Sequence, residues 1–245
     1  TYLITVEVKD NGVPSLSTSE VITISVLDAN EAPAIDALNA KLRRSVPENS
    51  IPGTIVKGGA LAAQDPDIQQ DIIFSIYDDP LVTLDSKYFN VDGKRGIISV
   101  KRNELNYEVK SIYVVYVLCT DSGFPSLQSE VVAITIELSN VNEAPIASFD
   151  GAEFSVYENT PVGSNLIMNS LAVYDVDVND VTFTFTETSN NKMFNVDDNT
   201  GRIIVIGDLD YERTNVATLI ISTRDSGGLN ASGSIVVNIL NVNEA

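Results

Sequence analysis

The sequence predicts an all-β protein made of tandem seven-stranded Ig-like Greek-key β-sandwiches arranged head to tail. Three observations carry that expectation. β-Branched residues are abundant, with 29 Val, 24 Ile and 17 Thr among 245 residues, and their stiff side chains suit a pleated surface better than a helix. Short alternating apolar runs recur between turn signals. The chain also repeats itself at a period of about one domain.

Asp10-Asn11-Gly12, Asp121-Ser122-Gly123 and Asp225-Ser226-Gly227 recur at intervals of 111 and 104 residues. Asn30-Glu31-Ala32-Pro33 returns as Asn142-Glu143-Ala144-Pro145 and as Asn243-Glu244-Ala245. Val46-Pro47-Glu48-Asn49 matches Val156-Tyr157-Glu158-Asn159, and Asp65-Pro66-Asp67 matches Asp175-Val176-Asp177. Phe89-Asn90-Val91-Asp92 matches Phe194-Asn195-Val196-Asp197, and Leu105-Asn106-Tyr107-Glu108 matches Leu209-Asp210-Tyr211-Glu212. The order is the same throughout and the spacing nearly constant, which excludes coincidence. Residues 1–31 are expected to be the C-terminal part, the last two strands, of a truncated repeat. Residues 32–143 and 144–245 are expected to be complete repeats. The Ala-Pro after an Asn-Glu marks an extended junction, because proline restricts the residue before it.

Taken in order, residues 1–9 and 20–27 read as two strands with one apolar face and no sheet to cover it. Within 32–143, strands are expected near 41–46, 53–62, 71–77, 87–91, 96–100, 111–120 and 130–138. Pro47-Glu48-Asn49 ends the first, and Asp121-Ser122-Gly123-Phe124-Pro125 separates the last two. Alternation is clearest in 111–120, where Tyr113, Val115, Val117 and Cys119 share one face. The same register gives Tyr2, Ile4, Val6 and Val8, and Ala217, Leu219, Ile221 and Thr223. Cys119 is thereby placed in the core as an inert, small apolar residue. Seven such strands in about 100 residues fit an Ig-like sandwich.

Composition removes several functions. Lys plus Arg number 15 and Asp plus Glu 34, a net charge of −19, so neither a nucleic acid nor an anionic membrane face is an expected partner. The chain has no His and a single Cys, which excludes a His-based triad, a His-ligated zinc and an internal disulfide. No apolar run approaches the ~20 residues of a membrane span, and no signal peptide is visible. Thr1-Tyr2-Leu3-Ile4-Thr5-Val6 already looks like the middle of a strand, so the chain is expected to be a piece of a larger protein.

Turns of a sandwich alternate between its two ends. In the middle repeat Glu48 falls in the first turn, Asn106 and Glu108 in the fifth, and Asn142 and Glu143 after the seventh strand, all at one end. Asp65, Asp67 and Asp121 fall at the opposite end, as do Asp175, Asp177 and Asp225 in the last repeat. Stacked head to tail, the repeats bring Glu48, Glu108, Glu143, Asp175, Asp177 and Asp225 to one junction. Like charges at ~4 Å cost about 1 kcal/mol per pair even in water, so such a cluster calls for cations. An oxygen-rich site without nitrogen or sulfur suits calcium, and two to three Ca²⁺ ions would neutralise these six carboxylates nearly or completely.

These motifs resemble the cadherin family. Pro47-Glu48-Asn49 resembles its Pro-Glu-Asn motif, Leu209-Asp210-Tyr211-Glu212 its Leu-Asp-Xaa-Glu motif, and Asp65-Pro66-Asp67 its Asp-Xaa-Asp motif. Thr120-Asp121-Ser122-Gly123 resembles its Ala-Xaa-Asp-Xaa-Gly motif, and Asp28-Ala29-Asn30-Glu31 its linker. The resemblance covers the whole chain. It implies extracellular repeats joined by three-calcium linkers and an adhesive role for a single-pass plasma-membrane parent, the partner being another cadherin-type ectodomain, identical or different.

The implied ligands of the complete junction are Glu48, Asn106, Glu108, Asn140, Asn142, Glu143, Asp175, Asp177 and Asp225. Asp28, Asn30, Glu31, Asp65, Asp67 and Asp121 form a partial N-terminal junction. Glu158, Asp210, Glu212, Asn241, Asn243 and Glu244 form a C-terminal half-site, and Asp10 an orphan one. Asn106 and Asn140 stand where the family carries Asp, which keeps an oxygen but removes charge. Trp is absent, so Trp-anchored strand exchange cannot run through this segment. The alternative function is a calcium-stiffened stalk or matrix adhesin that spaces glycan- or surface-binding modules. An enzyme is not expected, because the acidic residues recur at each junction whereas a catalytic pair occurs once. Asn230-Ala231-Ser232 is an acceptor tripeptide for N-glycosylation.

Overall fold

The computed structural model describes residues 1–79, 85–166, 170–177, 183–189 and 191–244. The chain divides into two compact units, one of Thr1–Leu105 with Lys110–Ser139, the other of Asn106–Val109 with Asn140–Ala245.

The first unit opens with a hairpin of β1 (Tyr2–Lys9) and β2 (Ser17–Ile24), paired from Tyr2↔Ile24 to Lys9↔Ser17. Every residue of both strands is exposed, so the alternating face of Tyr2, Ile4, Val6 and Val8 has no core to bury it. The second strand begins earlier than 20–27 because the Asp10 carboxylate accepts the Gly12 and Leu16 N–H groups, at 3.0 and 2.9 Å. That closed turn hands Ser17 directly into the pairing.

The rest of the unit is a two-layer sandwich. β3 (Ala34–Ile35) pairs with β5 (Ala63–Gln64), and between them lie α1 (Ala37–Ala40) and β4 (Arg44–Pro47). β6 (Ile73–Ile76), β7 (Phe89–Val91), β8 (Ile98–Val100), β9 (Ile112–Thr120) and β10 (Val132–Ser139) follow. One sheet has the order β4-β10-β9-β6, with β4 parallel to β10; β7 and β8 form a hairpin in the other layer. The expected strand at 53–62 is reduced to the bridges Ser45↔Lys57 and Ile55↔Ser99. Gly53, Gly58 and Gly59 have φ of 91°, 114° and 89° there, and this left-handed backbone cannot continue a pleat. Strand 41–46 is likewise shortened to β4. Asp36 caps α1 through the Leu38 and Asn39 N–H groups, and the buried Arg44 guanidinium donates to the carbonyls of Asn39, Ala40 and Leu42.

The alternation read from the sequence sets the core. Tyr113, Val115, Val117 and Cys119 are at most 3% exposed and pack with Phe89, Val100, Leu105, Ile134 and Ile136. Burial pushes the Cys119 thiol up, away from the reactive thiolate.

The second unit repeats the plan. β11 (Ile146–Ala147) pairs with β13 (Val173–Tyr174), and the main sheet has the order β12-β18-β17-β14, formed by β12 (Ala152–Tyr157), β14 (Thr184–Glu187), β17 (Val216–Arg224) and β18 (Asn230–Leu240). β15 (Phe194–Val196) and β16 (Ile203–Val205) form the second-layer hairpin. Ala217, Leu219, Ile221 and Thr223 are buried against Ile235, Val237 and Ile239. Residues 178–182 of the turn between Asp175 and Phe183 lie outside the described residues. In each unit the first long strand runs parallel to the last, so both finish at the same end. Glu48 N–H donates to Ser139 O at 3.1 Å, and Glu158 N–H to Leu240 O at 3.1 Å. Each unit is therefore an Ig-like β-sandwich with acidic turns at its strand ends. No helix among the described residues is long and apolar enough to cross a membrane.

Candidate metal centres

At one end of the first unit the segment 28–31 lies across three acidic turn residues. Glu31 N–H donates to Asp67 Oδ2 at 2.7 Å, and Asn30 Nδ2 donates to Asp121 Oδ2 at 3.0 Å. Asp67 N–H donates back to Asp65 Oδ1 at 2.9 Å, a two-residue Asx turn that fixes both carboxylates. The Asp65 Oδ2 atom is buried and has no hydrogen-bond partner among the described residues. A buried carboxylate oxygen left in this state is costly unless a cation takes it. The side chains of Asp65, Asp67 and Asp121 offer oxygen alone, the donor type that suits a hard cation.

The second unit builds the same arrangement from different turn sequences. Glu143 N–H donates to Asp177 Oδ2 at 2.8 Å, Asn142 Nδ2 to Asp225 Oδ2 at 3.0 Å, and Asp177 N–H to Asp175 Oδ1 at 3.0 Å. Asn140 adds a bond from Nδ2 to Asp177 Oδ1, at 2.8 Å. Asp177 and Asp225 are each 5% exposed, although they belong to turns. Glu108 and Glu143 offer carboxylate oxygens within 4.8 Å of each other.

Two glycines hold the linker asparagines, and the sequence patterns did not single them out for this. A Cβ on Gly123 would come within 2.7 Å of Asn30 Nδ2 and closer to the rest of that amide; a Cβ on Gly227 would do the same to Asn142. Neither glycine has a left-handed φ, so what each supplies is space. The recurrence of the third residue of Asp-Ser-Gly was the available signal. Gln70 was also missed: its Nε2 donates to Asn30 Oδ1 at 2.6 Å, and nothing in a lone Gln announces that role.

The opposite end of the second unit carries another cluster. Glu158, Asp210 and Glu212 offer oxygens all within 4.8 Å of one another. Glu158 accepts the Tyr211 and Val242 N–H groups, at 2.7 and 2.6 Å, and Asn241 Nδ2 donates to Glu212 Oε1 at 2.8 Å. Asn243 and Glu244 are exposed at the chain end, Asp28 is exposed ahead of Asn30, and Asp10 lies in the exposed hairpin turn. In the first unit Glu48 is 2% exposed. Asn106 Oδ1 accepts the Val109 N–H at 2.7 Å.

Hydrogen bonding favours the ionised form of two of these carboxylates, Asp121 and Asp10. At Asp121, burial pushes the pKa up, but donation from Leu127 N–H, the Asn30 amide, Gly123 N–H and Ser126 outweighs it, and the value falls below 3.8. Asp10 is lowered by the Leu16 and Gly12 N–H groups.

The repeated sandwich with acidic strand-end turns defines a class of modular β-sandwich repeats, and comparison with known proteins gives the family. The sequence signature described as cadherin domain matches residues 43–139 and 152–240, more than half of the chain. The protein belongs to the cadherin family, which consists of adhesion ectodomains rather than enzymes. The chain is 29% identical to the Fat-like cadherin-related tumor suppressor homolog of Drosophila melanogaster over 99% of its own length and 5% of that protein. Protein dachsous of the same organism is 28% identical over 99% of this chain, which spans 7% of it. Among solved structures, mouse cadherin-23 EC22-24 superposes with a TM-score of 0.64 at 22% identity, covering 88% of this chain and 68% of that one. The chain spans only a small fraction of these two Drosophila relatives' own length.

Proposed function

We propose that the chain is a calcium-dependent segment of a cell-adhesion ectodomain, in which ions held between successive repeats fix their relative orientation. The observation that carries this reading is the recurrence of one hydrogen-bonded carboxylate arrangement in both units, with a buried, unpartnered oxygen on Asp65. In this reading residues 1–31, 32–143 and 144–245 are the end of one repeat and two whole repeats. The complete junction takes Glu48, Asn106, Glu108, Asn140, Asn142 and Glu143 from one side and Asp175, Asp177 and Asp225 from the other. Two to three Ca²⁺ ions, each accepting about six to eight oxygens, offset its charge. The parent is extracellular and membrane-anchored, and meets another cadherin-type ectodomain.

Calorimetric titration of residues 32–245 tests the reading. Dissociation constants of about 10⁻⁵–10⁻³ M are expected, the range of extracellular calcium modules. Small-angle scattering should show a narrower spread of dimensions with calcium than with chelator. Asp177→Ala should abolish that narrowing at millimolar calcium while both units stay folded. Absence of calcium heat up to several millimolar overturns the proposal.

A further inference from the structure

We propose that Asn230 carries an N-linked glycan, and that the outer face of the β12-β18-β17-β14 sheet is consequently a solvent-facing surface rather than an adhesive one. The inference rests on the extracellular placement proposed above. Asn230-Ala231-Ser232 is the one Asn-Xaa-Ser/Thr tripeptide with a non-proline centre in the chain.

Three features of the fold make this tripeptide usable. First, burial along β18 alternates, with Gly233, Ile235, Val237 and Ile239 inside. Asn230 and Ser232 therefore share the outward parity, and both are exposed. Second, β12 pairs only with Ile235–Leu240, so Asn230 and Ser232 lie beyond that pairing, and the close approach of Phe149 and Asp150 is to Gly233. Third, the cross-strand neighbours on the outer face are Arg224 opposite Asn230 and Ser222 opposite Ser232. These are a flexible chain and a small one, leaving room for the first sugar. Among the described residues no hydrogen bond of the Asn230 side chain is found, so modification removes no native contact seen there.

The chemistry is a single substitution. Asn230 Nδ2 loses a proton and bonds to C1 of the reducing-end N-acetylglucosamine of a lipid-diphosphate-linked oligosaccharide; the C1–O bond breaks and the lipid diphosphate leaves. The transferase acts on the chain before folding, and the exposed position lets the folded unit accommodate the product. Farther along the same face Ile220, opposite Ser234, is 46% exposed. A glycan beside it shields this apolar residue, whereas the first unit has no such acceptor.

The full chain, directed through the secretory pathway of a eukaryotic cell, provides the test. Peptide mass mapping should show Asn230 glycosylated, with the glycan released by peptide-N-glycosidase and Asn230 converted to aspartate. Asn230→Gln and Ser232→Ala should each remove the modification, and Ser232→Thr should retain it. Secreted, folded protein with Asn230 unmodified overturns the inference. Calcium titration of the secreted wild type separates the two readings: calcium binding without glycan sinks only the glycan, and glycan without calcium binding sinks only the junction.

Discussion

Replacing Gly227 by alanine isolates the part that space plays in the proposed calcium junction. The backbone there is not left-handed, so alanine meets no φ penalty and lowers unfolded-state entropy slightly. The added Cβ falls within 2.7 Å of Asn142 Nδ2 and closer to the rest of that amide, well inside van der Waals contact. Asn142 has to withdraw by about an ångström, which breaks its 3.0 Å bond to Asp225 Oδ2. A hydrogen bond to a charged group contributes about 1.5–3 kcal/mol, and about 1.4 kcal/mol is tenfold in affinity. Calcium binding at the middle junction should therefore weaken by roughly ten- to a hundredfold, while the melting temperature in chelator changes little. Calorimetry and thermal scans of residues 32–245 measure both. Wild-type calcium affinity in Gly227→Ala would refute the seating argument, and a large fall in melting temperature in chelator would show that Gly227 serves the sandwich instead.

Three further perturbations follow from single residues. Thr223 is fully buried and its Oγ1 has no hydrogen-bond partner among the described residues; Thr223→Val should raise stability by about 1 kcal/mol in urea unfolding, and a loss of that size would show an overlooked partner. Removing residues 1–27 keeps Asn30 and Glu31 on Asp121 and Asp67, and takes away only an exposed hairpin; differential scanning calorimetry should show the remaining transitions within a few degrees. The folded-state pKa of Asp121 lies below its ordinary 3.8. Its contribution is thus complete above that value and is lost as pH falls through the lower one. Acid titrations in chelator should show Asp121→Asn less stable at neutral pH and with a flatter acid limb, and an unchanged limb would assign the acid sensitivity elsewhere.

Legibility in the sequence followed the length scale of the interactions. The strands at 111–120 and in Val216–Arg224 were readable because alternation over nine residues is set by burial, and burial is what the pattern records. The 53–62 strand misled because its apolar residues are interrupted by Gly53, Gly58 and Gly59, and a Cβ on Gly58 would meet Arg43 O at 2.5 Å. Backbone handedness there overrides side-chain pattern. Carboxylates were legible as a set because they recur, and the bonds that organise them recur too, from Glu31 to Asp67 and from Glu143 to Asp177. The seats at Gly123 and Gly227 were hidden, since a missing side chain leaves no chemical signature and its purpose is visible only against the amide that fills the space.

The turns at Asn106 and Asp210 show how one position can hold its fold while changing its charge. Asp210 Oδ1 accepts the Arg213 N–H at 2.9 Å, and Asn106 Oδ1 accepts the Val109 N–H at 2.7 Å. Both side chains cap the same kind of turn, so local folding does not distinguish them. Their second atoms do. Asp210 keeps another carboxylate oxygen for the cluster with Glu158 and Glu212, whereas Asn106 has an amide nitrogen that donates and cannot ligate a cation. On the proposed calcium reading, the Asn106 turn of repeat 32–143 thus supplies one charge and one oxygen fewer than the Asp210 turn of repeat 144–245. Calcium affinity in such sites is tuned by the number of charged ligands. The set of ligands containing Asn106 is then the weaker cation donor of the two, and the first to lose its ions as calcium falls.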